Sequence, residues 1–415
     1  MRLLHTSDWH LGQSLHTFER SYEQQCFLAW LLTTLETEQI DALLIAGDIF
    51  DHTNPSAAAQ QQFYRFLTTA KRRLPQLDIV IIAGNHDSPG RLEAPASLFD
   101  AFDVTVVGHV TRDAKGDIEP DRLVVPLRNR RREIAAWCLA IPFLRPGDVP
   151  RVETAGDPYL EGVKLLYRQA LAVALSRQEP GQAIIALGHC HMSGGLTSEE
   201  SERRIVIGGV EALPVEMFDP AIAYVALGHL HRAQRVGAQA RIRYSGSPLP
   251  MSFAEIHYHH QAIRIDLTGQ SVHEITELAI PRSVELLRIP EHPLPITEVL
   301  EQLARLDLPD QPLQAQPYLE TPVWLTGPEP GLRTRIEAVL EGKSVRLARI
   351  NPSYGGREDQ NQSLADGPRS LDDLDRLQPD DIFSKLHWRK YGEEPSNELL
   401  AAFRELLLAN GERGS

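Results

Sequence analysis

Three features of the chain predict an α/β fold. Short apolar runs alternate with helix-period patterns from residue 1 to about 275, the runs are continuously apolar, and five of them stop at residues able to bind metal. A continuously apolar strand is buried on both faces, so the sheet should be covered on both sides. "RLLHT" reads as the first strand, and 19–38 as an amphipathic helix with Phe27, Leu28, Leu31, Leu32 and Leu35 on one stripe. "DALLIAGD" is a buried strand, 56–73 a second helix and "LDIVIIAGNHD" another strand. "EIAAWCLAIP", a helix over 160–178, "AIIALGHCH" and "IAYVALGHLH" continue the pattern. The runs "QRVGA", "RIRYSGS", "QAIRIDL" and "SVHEITEL" then suggest hairpins.

The texture changes near residue 281. "SVELLRI", a helix at 296–306, "YLETPVWLT", a helix at 331–342 and "SVRLARI" predict a β-α-β-α-β domain over 281–352, punctuated by proline-rich stretches. The polar residues 353–370 read as a linker. Residues 371–415 read as a helical segment whose strongest signal is an amphipathic helix at 395–409, with apolar Leu399, Leu400, Phe403, Leu406 and Leu407.

Composition narrows the function. A net charge of −14 argues against a protein that coats nucleic acid through bulk electrostatics. It does not argue against an enzyme acting on a polyanion, since bound cations can supply positive charge locally. The basic stretches Lys71–Arg73 and "RNRRRE" at 128–133 read as solvated faces. No run approaches the roughly 18–20 apolar residues that span a bilayer, so no membrane association is expected. His5, Ser7, Asp8 and His10 interrupt any signal pattern at the N-terminus. Three cysteines without paired spacing exclude a disulfide framework or zinc ribbon, and a cytoplasmic location fits best.

The five terminating runs carry the chemistry. They finish at Asp8 and His10, at Asp48 and Asp51, at Asn85, His86 and Asp87, at His189 and His191, and at His229 and His231. Ligand sites in open α/β sheets lie beyond the carboxyl ends of the strands, so these clusters should meet on one rim. Gly47, Gly84, Gly188 and Gly228 stand before four of the clusters, where a tight turn is expected. Oxygen and imidazole donors without thiolate suit Mn²⁺, Mg²⁺, Fe²⁺ or Zn²⁺. Two divalent ions bring +4 against −2 from Asp8 and Asp48, leaving positive charge for a phosphodiester. A pair roughly 3.5–4 Å apart can share a carboxylate and acidify a water, which is hydrolytic and not redox chemistry.

In order, "SDWH", "GDIFD", "GNHD", "GHCH" and "GHLH" resemble the calcineurin-type metallophosphoesterase signature. "LLHTSDWHLGQ", "LAIPFLRPGDV", "YVALGHLHRAQ" and "YSGSPLPMSF" are similar to stretches of the SbcD family, bacterial nuclease subunits related to Mre-type double-strand-break repair nucleases. The resemblance implies a two-sheet α/β sandwich over 1–280, with the α+β domain at 281–352 acting as a cap. It implies one metal on Asp8, His10 and His231, a second on Asn85, His189 and His229, and Asp48 bridging them. His86 would face the scissile phosphate as a general acid or charge stabiliser. Asp51 would either orient His86 or serve only to solvate or cap its loop.

The activity so implied is a nuclease using two Mn²⁺, with Mg²⁺ as the alternative. It would cut double strands 3′→5′ as an exonuclease, and single strands or hairpins as an endonuclease, in DNA repair, recombination and replication. An SbcC-type SMC ATPase would be the partner, reached through the C-terminal helix, with a homodimer inside a heterotetramer. A phosphatase or phosphodiesterase acting on a smaller substrate keeps the same chemistry, and a metal-free scaffold would have lost ligands. The family often lacks a histidine at the position of His191, which is here either an innocuous loop residue or a substrate contact. The "HYHH" group at 257–260 reads as surface or core.

Overall fold

The computed structural model describes residues 1–198, 212–237, 239–327 and 329–354, together with 383, 387, 388, 391, 395, 396, 399 and 400. The chain forms two compact units. The first comprises Met1–Leu286 with Leu313–Gln316; the second comprises Leu287–Pro312 and the chain from Pro317 onward. The texture of the sequence puts the start of the α+β domain at 281, a few residues earlier.

The first unit contains two six-stranded sheets. One holds β1 (Arg2–Thr6), β2 (Ala42–Ala46), β3 (Asp78–Ile82) and β4 (Val104–Val107). The other is built from β5 (Val124–Arg128), β6 (Ile134–Ala140), β7 (Ala183–His189), β8 (Tyr224–Gly228), β9 (Gln234–Val236) and β10 (Gln239–Tyr244). The hairpin β11 (Gln261–Thr268) and β12 (Ser271–Ala279) completes the first sheet, giving the orders β12-β11-β1-β2-β3-β4 and β9-β10-β8-β7-β6-β5. β1 to β4 run parallel, as do β6, β7, β8 and β10, and antiparallel strands close the edges. The four late β runs are therefore two hairpins on the edges of two different sheets.

Both faces of the first sheet are covered, as the apolar runs require, but by different layers. Leu43, Ile45, Ile79 and Ile81 face helices α1 (Ser21–Thr37) and α2 (Ala57–Arg73), packing on Phe27, Leu31, Phe63 and Phe66. Their alternate neighbours Ala42, Leu44, Ala46, Val80 and Ile82 pack against the second sheet. Each of the Leu, Ile, Val and Phe side chains contributes about 1.5–3 kcal/mol on burial. Ser56 caps α2 by accepting from the Ala59 amide at 3.2 Å, and Asp157 caps α3 (Pro158–Arg177) through the Leu160 amide at 2.9 Å. β4 and β5 have no clear signature in the sequence. β5 contains Pro126, which weakens a strand reading and is tolerated because β5 is an edge.

His5 ties the two sheets together. Its buried ring accepts the Tyr224 hydroxyl at Nδ1 (3.1 Å) and donates from Nε2 to the Leu227 carbonyl (3.1 Å), both on β8. Burial pushes its pKa down to about 3, which fixes this neutral form.

In the second unit the central strand β15 (Tyr318–Leu325) is joined by β13 (Leu286–Arg288), β14 (Leu294–Pro295) and β16 (Arg346–Tyr354). Helices α4 (Ile296–Ala304) and α5 (Leu332–Leu340) cover one face through Val299, Leu303, Ile336 and Leu340. Buried Glu320 is clasped by Arg288 at 2.6 Å and Arg349 at 3.4 Å. Ser396 accepts the Leu399 amide at its Oγ (3.3 Å) and the Leu400 amide at its carbonyl (3.0 Å). This is a helical first turn at the start of the predicted 395–409 helix. The rest of that helix, and almost all of the 353–370 linker and the 371–415 segment, lie outside the described residues.

Candidate metal centre

The rim is assembled at the carboxyl ends of β1, β2, β3, β7 and β8. Trp9 explains the Asp-x-His spacing of the first loop. Its ring is buried edge-on against Phe27 and Phe66, with Nε1 donating to Thr6 Oγ1 at 3.1 Å. With Trp9 anchored in the helix layer, Asp8 and His10 on either side face the rim. Amides of Asp8, His10 and Leu11 donate to the carbonyls of Gly47, Asp48 and Ile49 at 2.9–3.1 Å, zipping the first two loops together.

Asp8, His10, Asp48 and His229 have φ of 54°, 44°, 50° and 107°. Non-glycine residues avoid this region at a cost of order 1–3 kcal/mol each and hold it only where surroundings over-determine it. Of the four glycines before the clusters, only Gly47 turns with positive φ, at 91°. The tight-turn expectation is corrected for the others. At Gly228 the reason is space, because a Cβ would lie 1.9 Å from the Ala46 carbonyl oxygen.

The predicted ligands converge. Donor atoms of Asp8, His10 and His231 lie within 4.8 Å of one another, as do those of Asp8, Asp48 and His189. All are buried. Asp48 Oδ2 stands 3.7 Å from His10 Nε2 and 3.4 Å from His189 Nε2, so it faces imidazoles of both expected sets. Asn85 Oδ1 lies 2.9 Å from His189 Nε2 and 3.0 Å from His229 Nδ1. His10 Nε2 is buried with no hydrogen-bond partner. A buried orphan nitrogen beside a carboxylate, in a set of imidazole, carboxylate and amide donors, fits a divalent cation and explains why the orphan is tolerated.

Electrostatics agree with that fit. Burial raises Asp8, and nearby histidines only partly oppose it. Asp48 is driven well below the carboxylate range because His189 and His10 outweigh its burial. Burial holds His229 down to about 3, keeping its ring neutral as a ligand must be. His189, despite burial, is lifted to about 9 by Asp48 and Asp8. Its proton is one that a cation would replace.

The remaining residues divide by contact. His86 is exposed, its Nδ1 lies 2.8 Å from the Asp51 backbone carbonyl, and its amide donates to Asp48 Oδ1 at 2.8 Å. The Asp51 carboxylate pairs with His10 Nδ1 at 3.3 Å and His52 Nε2 at 2.9 Å. Asp51 thus hydrogen-bonds His86 through its main chain, while its carboxylate stands within 4.8 Å of ring nitrogens of both His10 and His86. Asp87 accepts the amides of Ile49, Phe50 and Gly84 at 2.9–3.1 Å, which supports both loops. His191 is half-buried, its ring 6.3 Å from that of His229. His257 and His259 are exposed and His260 is buried, and among the described residues none joins a metal-competent group.

Glu255 stands behind a predicted ligand and is not singled out by the sequence. It is fully buried, with Oε1 3.2 Å from His231 Nδ1 and Oε2 accepting the Met251 amide at 2.7 Å. Its only signal is "SFAE", which reads as an ordinary capping box.

Comparison with known proteins follows the same division of the chain. Residues 1–233 match the calcineurin-like phosphoesterase family, and residues 282–390 match the type 5 capsule protein repressor C-terminal domain, SbcD_C. The SbcD subunit of nuclease SbcCD from Rhodobacter capsulatus is 40% identical over 92% of this chain and 94% of its own. Its counterpart from Escherichia coli K12 is 32% identical over 93% and 92%. That from Bacillus subtilis is 38% identical over 64% and 66%. Two buried donor groups on one rim, on a chain matched almost end to end by nuclease subunits, establish a phosphodiester hydrolase. The chain belongs to the calcineurin-like phosphoesterases and, within them, to the SbcD nuclease subunits of the SbcCD type.

Proposed function

We propose that this chain is a Mn²⁺-dependent DNA nuclease, cutting double-stranded ends 3′→5′ and single strands or hairpins internally. The observation that carries this reading is the pair of buried donor groups Asp8–His10–His231 and Asp8–Asp48–His189 on one rim, with His10 Nε2 buried and without a hydrogen bond. Asp8, His10 and His231 would hold one cation, and Asn85, His189 and His229 the other, with Asp48 common to both. Bound there, the cations supply Lewis-acid charge and an acidified water. The protein does the rest. Asp87 fixes the loops that present Asp48 and Asn85. His86 donates from Nδ1 to the Asp51 carbonyl, which leaves Nε2 to protonate or charge-stabilise a phosphate oxygen.

The partner is an SMC-type ATPase, in keeping with the SbcCD name of the relatives, and the segment 371–415 is its docking element. The α+β unit serves as the cap, and the protein works in the cytoplasm. Two copies pair through an apolar cleft of about 790 Å³ lined by Tyr64, Leu67, Phe99 and the exposed Leu98 and Phe102. Cleavage of a DNA hairpin with Mn²⁺, set beside hydrolysis of a p-nitrophenyl phosphodiester, tests the substrate. Equal or better turnover of the small ester would sink the nuclease reading. Removal of 371–415 should abolish co-purification with the ATPase while sparing single-strand cutting. Phe102→Glu should convert a dimer to a monomer in sedimentation.

A further inference from the structure

The two donor sets differ in what stands behind their imidazoles. His231 is backed by the fully buried Glu255, Oε1 to Nδ1 at 3.2 Å. His10 is backed by Asp51, Oδ1 to Nδ1 at 3.3 Å. Both contacts assign Nδ1 as the donor and leave Nε2 for the rim. In the other set the one backing contact seen is to a neutral oxygen. His189 Nδ1 lies 2.8 Å from the Ala46 carbonyl, while His229 Nδ1 faces the Asn85 amide oxygen, itself a predicted ligand, at 3.0 Å. Asp87, a buried acid of the same rim, spends its oxygens on three backbone amides.

Charge sorts the sets in the same direction. Asp51 and Glu255 give the first set two carboxylates of its own, both behind its imidazoles. The second set has neutral Asn85 and shares Asp8 and Asp48 with the first, with no carboxylate behind its imidazoles among the described contacts. A carboxylate behind an imidazole makes it a better donor and locks its orientation, and losing such a partner typically costs about 10–100-fold in metal affinity.

We propose that Glu255 and Asp51 are positioning residues that make the Asp8–His10–His231 set the tight metal site and leave the Asn85–His189–His229 set as the exchangeable one. The consequence is an enzyme that keeps one cation resident and gains its second from solution. The inference rests on the two-metal reading above and adds an order of filling that the reading does not require.

The experiment is calorimetric titration of the chelator-stripped full chain with Mn²⁺, with bound ions counted after dialysis. Wild type should bind in two steps, the first at least tenfold tighter. Glu255→Gln keeps the side-chain volume and can still accept from His231, while it removes the charge and the contact from the Met251 amide. Glu255→Gln and Asp51→Asn should each weaken the first step about 10–100-fold and leave the second within about twofold. Glu255→Asp should recover part of the loss, which a purely structural role would not predict. A variant's metal-free melting curve establishes that it is folded, and if Glu255→Gln fails to fold, Asp51→Asn decides alone. Two equal steps in wild type, or variants that weaken the second step as much as the first, would overturn the inference and leave the two-metal reading standing. No Mn²⁺ uptake by wild type would overturn that reading as well.

Discussion

The two rims of the sandwich use carboxylates in opposite ways. At the amino ends of β2, β3 and β4 stand Asp41, Asp78 and Asp103, met by guanidinium groups from the "RNRRRE" stretch. Arg132 lies 2.7 Å from Asp103 and 3.4 Å from Asp78, and Arg130 lies 3.6 Å from Asp41. Lys71 adds a contact to Asp103 at 3.9 Å. Hydrogen bonding from Arg132 pulls Asp103 down, so that rim is electrically closed. At the carboxyl rim the ion-pair partners of Asp48 are imidazoles, among the described residues, and no lysine or arginine intervenes. A carboxylate beside arginine has its counter-charge built in. One beside imidazoles that can shed protons still needs a cation, and that difference separates scaffold from active site.

The largest break in the comparison comes from Asp48→Ala. It removes the carboxylate facing both sets, so Mn²⁺ titration should lose at least one ion and hairpin cleavage should fall to background, with the fold retained. Undiminished activity would refute the shared role. Next, His86→Ala should keep both ions while lowering kcat by roughly 10²–10⁴. Because Asp51 meets His86 by its carbonyl, Asp51→Asn should spare that contact and act on metal affinity instead. A kcat defect in Asp51→Asn equal to that of His86→Ala, with unchanged affinity, would restore the side-chain dyad.

The closed rim should answer differently. Asp78→Asn removes the charge facing Arg128 and Arg132 and one of the two buried acceptor oxygens they share, costing about 1–3 kcal/mol. The melting temperature should drop by several degrees while nuclease activity per folded molecule is unchanged. The smallest effect is acid sensitivity through His5. Its folded pKa of about 3 lies below the ordinary value of 6.5, so its stabilisation is complete above pH 6.5 and is lost as pH falls towards 3. The slope is at most about 1.4 kcal/mol per pH unit. His5→Gln, which can keep both hydrogen bonds, should flatten denaturant midpoints over pH 4–6.

What can be read from sequence is whatever repeats a local rule. β1, β2, β3, β7 and β8 announce themselves by apolar runs, and each ends in a residue type that needs explaining. Long-range partnerships leave no such trace. That the far cover of β2 is a second sheet, and not another helix layer, depends on which strands pair. Glu255 hides in a four-residue pattern with a commoner meaning. The Asp51 carboxylate and carbonyl pair with different histidines, a distinction made by backbone direction alone. The basic stretch at 128–133 reads as a solvated face because its acids come from three other strands.

The left-handed residues have a consequence for anyone who would move this site elsewhere. Eight described non-glycine residues have positive φ, and four of them are predicted ligands. Seven side chains copied onto another sandwich with relaxed loops would point the wrong way, because their aim is set by corners the donor backbone is forced to turn. A graft must therefore carry the loops, the Trp9 anchor and the amide zipper from 8–11 to 47–49 along with the donors. Replacing Asp48 by glycine, conversely, should relieve the left-handed strain at that corner while losing the shared carboxylate and with it the nuclease activity. Selection for stability and selection for cutting pull this rim in opposite directions.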